Sequence, residues 1–138
     1  MGCSLAASLV DLKKELKRSV DPDYLFLEPS EMIVTSELRN VMAMGLRDLQ
    51  YTVGPLITLV DAVSFGFNWE EREQLISGQI RGTDRVVLSR TDRVDQEEIE
   101  RICRILPVKP DDLLLLNPND GKGLEALGRE LLNSSDAY

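Results

Sequence analysis

Histidine is absent from this chain, and cysteine occurs only at Cys3 and Cys103. Without histidine there is no Ser-His-Asp or Cys-His relay and no imidazole to ligate a metal, and two thiols so far apart in sequence cannot fill a zinc site alone. Cys103 falls on the apolar face of a helical pattern, so it reads as a small core residue. A disulfide framework is therefore not expected, and a reducing, cytoplasmic setting fits. Long apolar runs are missing too: none reaches the roughly 18 residues of a membrane span, and no signal peptide is visible, so no membrane partner is expected. Met1-Gly2-Cys3 lacks the Ser or Thr at position six that a myristoylation motif wants, since Ala6 stands there. Basic residues are in deficit, with a net charge of −8. Such a chain repels a phosphate backbone, so nucleic-acid binding is not expected. The densest basic cluster, Lys13, Lys14, Lys17 and Arg18, reads as a solvated helix face. The phosphate-loop motif G-x-x-x-x-G-K-[ST] does not occur, and the only Gly-x-Gly is Gly121-Lys122-Gly123. No stretch of this sequence is thus suited to cradling a triphosphate.

What is present is a chain of 138 residues with 43% hydrophobic side chains, enough for one domain with a core of its own. Its organising stretch is Arg85-Val86-Val87-Leu88-Ser89-Arg90-Thr91-Asp92. A short apolar, β-branched run without polar alternation reads as a strand buried on both faces, as in parallel sheets under helices. Three other runs, 24–28, 56–61 and 113–117, also close on a polar residue: Glu28, Asp61 and Asn117. Between them lie helical patterns over 4–19, from about 36 to Leu49, over 69–81, 96–106 and 124–132. The spacing predicts an α/β fold in three layers: a mainly parallel sheet of about four strands with helices on both faces. The three middle helices share one face, and the first and last cover the other. Residues 1–133 read as one domain and 134–138 as a disordered polar tail.

In open α/β sheets ligands gather beyond the carboxyl ends of the strands, where the polar terminators fall. Asp92 there could accept two N–H donors from one edge of a planar ring such as guanine, at about 1.5–3 kcal/mol for each charge-assisted bond. Arg90 could lie along the ring face, with Asn119 and Asp120 approaching from the next loop. Asp92 and Asp95 could equally begin the following helix; Asp95 with Glu98 has the form of a capping box. Glu28 could act on a metal-bound water or a phosphate-bound magnesium ion, or merely cap its loop, and Asp61 has the same two readings.

These pieces resemble the GTPase domain of the CobW/HypB/UreG group, in particular its CobW-like metallochaperones. Cys3-Ser4-Leu5 is similar to the end of the group's cysteine metal motif. Asp23-Tyr24-Leu25-Phe26-Leu27-Glu28 resembles the strand that delivers its Glu-x-x-Gly motif. Leu59-Val60-Asp61-Ala62 resembles its Val-Asp-Ala strand end. Ser89-Arg90-Thr91-Asp92 looks like a variant of the Asn/Thr-Lys-x-Asp guanine motif. The loop from Asn117 through Pro118, Asn119, Asp120, Gly121, Lys122 and Gly123 to Leu124 is similar to the closing base-contacting loop. The resemblance implies a P-loop NTPase-like fold, a metallochaperone role linked to cobalamin biosynthesis, and nucleotide binding by Ser89, Arg90, Asp92, Asn117, Asn119 and Asp120. It further implies a catalytic role for Glu28, a metal-binding role for Cys3, and GTP or GDP with magnesium as the family's ligands, a transition metal such as zinc being unproven.

Departures from the pattern matter as much. The family's phosphate-binding strand and loop would lie upstream of Met1, Glu28-Pro29-Ser30-Glu31 lacks the motif's glycine, and Ser89 and Arg90 replace the usual residues. Two expectations follow. The chain is the C-terminal part of a GTPase domain, with its partner the missing N-terminal half, a metalloprotein client or a second copy, and with at best weak guanine-nucleotide binding alone. Alternatively, it is a non-catalytic α/β interaction or regulatory module with no bound nucleotide. A receiver-like domain fits less well, because Glu28, Glu31 and Lys122 imitate a receiver's acidic cluster and lysine only loosely.

Overall fold

Where a lysine's four-carbon stem meets a neighbouring helix, it can be buried like an apolar side chain. That happens in the first of two units, Met1–Val53 and Gly54–Tyr138, into which the computed structural model divides; residues 3–45 and 53–133 are described. The first unit holds α1 (Cys3–Ser19) and α2 (Thr35–Gly45), which pack on each other. Lys13 is only 3% exposed, and its Nζ donates to Met42 Sδ at 2.9 Å. The expectation of a solvated basic face is therefore corrected at Lys13. The helix is rolled so that Val10 and Lys13 turn inward, while Leu12 is 52% exposed. The expected extension of α2 to Leu49 lies outside the described residues.

Residues 24–28, expected as a strand, form none. A strand persists only with a ladder partner, and the described part of this unit contains no other. The run stays without secondary structure between Pro22 and Pro29, and Phe26 is 75% exposed.

The second unit carries the sheet: β1 (Ile57–Asp61), β2 (Arg85–Ser89) and β3 (Leu113–Leu116). The strands pair in parallel in the order β1-β2-β3, with Leu59 beside Val87 and Val87 beside Leu114. The described sheet thus has three strands instead of about four, and β1 pairs with β2 alone. Crossover helices α3 (Phe65–Arg81) and α4 (Gln96–Ile105) supply Phe65, Ile80 and Ile102 to a core with Val60, Val86 and Leu88. Cys103 packs against that core. Following β3, α5 (Leu124–Asn133) sends Glu130 to Arg85 Nε at 2.9 Å. Arg85 alternates to the same side of β2 as Val87, so α5 lies on the face opposite the α3–α4 core.

Val86, Val87 and Leu88 are fully buried, which the central place of β2 between two layers explains. β1 is less buried: it stands at the edge of the described sheet, and its Leu59 is 67% exposed. α3 starts at Phe65, earlier than the expected Trp69. Phe65 and Trp69 are four apart on a helix, and their rings stack with centroids 5.4 Å apart. At the start of α4, Asp95 accepts the Glu98 amide at 2.8 Å as expected. The reciprocal arm of the box is not made; the Glu98 carboxylate binds Arg101 instead, at 2.6 and 2.7 Å.

Candidate functional site

The loop after β3 is a small folded unit of its own. Asn117 N–H donates to the Lys122 carbonyl at 2.9 Å, and Gly121 N–H to the Asn117 carbonyl at 3.0 Å. The Asn117 side chain is 4% exposed, and its Oδ1 accepts the Asn119 amide at 3.0 Å. Asp120 Oδ1 accepts the Lys122 amide at 2.8 Å. These are Asx-type turns, in which a short polar side chain substitutes for a backbone partner. The route also needs two left-handed residues, Gly121 at φ +79° and Gly123 at φ +86°. At Gly123 a Cβ would lie 2.2 Å from the Leu115 carbonyl oxygen, so the chain passes there only because no side chain exists.

The loop after β2 meets it. Ser89 ends the strand, and its carbonyl accepts the Ala62 amide at 3.0 Å. Arg90 takes a left-handed conformation at φ 58°, and a 3₁₀ turn over Thr91–Arg93 follows. Thr91 Oγ1 donates to the Leu116 carbonyl at 3.4 Å, tying this turn to the end of β3. The outcome is a direct contact between the two loops: Asn119 Nδ2 donates to Asp92 Oδ2 at 3.1 Å. Arg93 Nε stands 3.3 Å from the same oxygen. Residues separated by one βα crossover thus share a rim because their strands are adjacent and parallel.

A further pair spans the ends of β1 and β2. The Arg90 guanidinium forks onto Asp61, Nε to Oδ1 at 2.6 Å and Nη2 to Oδ2. Asp61 also accepts the Val63 amide at 3.1 Å and the Ser64 hydroxyl. The Arg90 hydrogen bond chiefly, with help from Ser64 and Val63 against partial burial, lowers the carboxyl of Asp61 to about 2. Sequence reasoning named both residues but not their pairing. The available signal was opposite charge on the terminators of two strands that a right-handed crossover makes neighbours.

Of the residues expected to bind nucleotide, Ser89 ends β2 and Arg90, Asp92, Asn117, Asn119 and Asp120 lie on the two loops, where Asp92 and Asn119 touch. The orientation of Arg90 is set by Asp61. Glu28 belongs to the first unit, exposed and outside any regular element. Cys3 is in α1, with its side chain outside the described residues. Among the described residues no three His, Cys, Asp or Glu side chains converge on a possible metal position. Asp61 as placed does not fit a magnesium ion, since Arg90 engages both of its oxygens. A planar base edge fits better, because Asp92 Oδ1 carries no hydrogen bond among the described residues. No described helix is long and apolar enough to cross a membrane.

Asp92 and Asn119 meet beyond the carboxyl ends of a parallel α/β sheet, where such sheets bind their ligands. The nucleotide-binding domain model of the CobW/HypB/UreG family matches residues 1–110. The chain belongs to that family. No curated protein and no solved structure matches it.

Proposed function

We propose that residues 85–124 form the base-reading part of a guanine-nucleotide site in a GTPase-type domain. Asp92 accepts from the base edge, Asn119 and Asp120 border it, Asn117 holds the loop, and Arg90 and Ser89 shape the rim. The observation that carries this is the Asn119–Asp92 contact at 3.1 Å, which puts loops from two strands at one point. Membership of a nucleotide-binding family supports it independently. A metallochaperone role in a cytoplasmic setting is part of the same reading and follows the family's character, with Glu28 and Cys3 as its catalytic and metal-binding residues.

Phosphate contacts supply much of a nucleotide's binding energy, and the motif that makes them does not occur in residues 1–138. These residues alone should therefore hold a guanine nucleotide at best in the millimolar range, on the order of −4 kcal/mol. Titrating guanosine, GDP and GTP while following backbone amide resonances tests this. Shifts confined to 89–92 and 117–123, with affinities similar for all three ligands, are the expected result. Absence of any shift there, or affinity climbing steeply with each added phosphate, refutes it. A second reading, an interaction module without a nucleotide, is favoured by the exposed apolar run of Tyr24, Leu25, Phe26 and Leu27.

A further inference from the structure

We propose that the rim reads its base through one carboxylate oxygen, Oδ1 of Asp92, and so accepts 6-oxopurines as a class, hypoxanthine nearly as well as guanine. The proposal rests on the base-reading function above and narrows it to a ligand class.

Full recognition of guanine by a carboxylate uses both oxygens, one for the ring N1–H and one for the exocyclic amine. Here the two are not equivalent. Oδ2 accepts from Asn119 Nδ2 at 3.1 Å and has the Arg93 guanidinium against it, Nε at 3.3 Å in an ion-pair contact, so an arriving donor meets an oxygen already bonded by an amide and crowded by a cation. Oδ1 has no partner among the described residues. A 6-oxopurine brought edge-on finds one free acceptor, suited to N1–H, a donor that guanine and hypoxanthine share. Adenine presents an acceptor at that ring position and is repelled.

The exocyclic amine of guanine could displace Asn119 from Oδ2, but the exchange replaces one amide-type N–H on a carboxylate with another. The gain is close to nil, in contrast to a bond made to a vacant oxygen. Nor can the loop carry Asn119 away from the rim. Its own amide is pinned to the buried Oδ1 of Asn117 at 3.0 Å, and the loop on its far side is fixed by Gly121 and Gly123.

GMP, IMP and AMP, equal in charge, provide the test, with amide chemical-shift titration as the readout on the whole chain. GMP and IMP should bind within about threefold of each other and AMP far more weakly. A vacant oxygen would instead separate GMP from IMP by roughly tenfold or more. Freeing Oδ2 with the double variant Asn119→Ala, Arg93→Ala should create that separation, in favour of GMP. The backbone amide that binds Asn117 survives this change, and circular dichroism confirms the fold. A tenfold GMP preference in the unaltered chain, or AMP binding equal to IMP, overturns the single-oxygen inference while the base site stands. A GMP to IMP ratio unchanged in the double variant overturns it as well. No response of residues 89–92 and 117–123 to any of the three removes the base site itself, and the inference with it.

Discussion

Replacing Gly123 with alanine perturbs the candidate site through its backbone alone. Two effects add. At φ +86° an L-residue costs about 1–2 kcal/mol relative to glycine. The new Cβ would also sit 2.2 Å from the Leu115 carbonyl oxygen, with the Leu115 carbon at 3.2 Å and Leu116 Cα at 3.3 Å. All three neighbours are backbone atoms of β3, so the clash cannot be relieved by turning a side chain. The loop must move by about an ångström, at a further cost of about 1–3 kcal/mol. Gly121→Ala is the internal control: φ is +79°, but the nearest atom to its Cβ is a Leu124 methyl at 3.8 Å, so only the conformational cost applies. Urea denaturation should show Gly123→Ala losing about 2–5 kcal/mol and Gly121→Ala about 1–2, with similar m-values. The displaced loop also carries Asn119 away from Asp92, so the Asn119 side-chain amide resonances should shift in Gly123→Ala alone. Equal destabilisation by the two variants, within about 0.5 kcal/mol, would refute the close-approach argument.

Asp61→Asn tests the pairing across the strand ends. Lowering the carboxyl from 3.8 to about 2 corresponds to ~2.4 kcal/mol at full weight, but Arg90 is 49% exposed, and solvent screening reduces the expected loss to about 1 kcal/mol at pH 7. Because the folded-state value is depressed, this stabilisation is complete above the ordinary value and disappears as pH falls from about 5 towards 2. Urea midpoints across that window should converge for the two proteins, and a constant gap would contradict the assignment. At Lys13, burial lowers the ammonium below its ordinary 10.5, so the charged form opposes folding at neutral pH and less so as pH rises through the folded value. Lys13→Met, similar in volume and uncharged, should raise the urea midpoint at pH 7, with the advantage shrinking towards pH 10; a lower midpoint would show that the charge is stabilising.

The residue pattern made much of the second unit legible. A five-residue run such as Arg85-Val86-Val87-Leu88-Ser89, set between two amphipathic patterns, has few alternatives to a central parallel strand. The polar residue after each run marks the rim without any coordinates. Asp95 announced its helix, because an N-cap is a local interaction between a side chain and the next turn. Residues 24–28 show the limit. Tyr24, Leu25, Phe26 and Leu27 have strand composition, yet composition cannot supply the neighbour whose N–H and C=O groups would complete a ladder. Lys13 shows it again, since rolling a helix by one position exchanges Leu12 for a lysine stem, and the partner surface decides which is buried.

By itself, then, the sequence determined the α/β alternation and the set of side chains at the strand ends, which depend on interactions within a few residues, and with them the parallel βα succession, which the handedness of crossovers imposes on such an alternation. Tertiary structure decided how those side chains pair: Arg90 turned to Asp61, Asn119 laid on one oxygen of Asp92, and the glycine at 123 pressed against Leu115. Those are contacts between residues far apart in the chain, set to fractions of an ångström by strand register and by left-handed backbone at three positions, and no periodicity in the sequence encodes a distance of that kind.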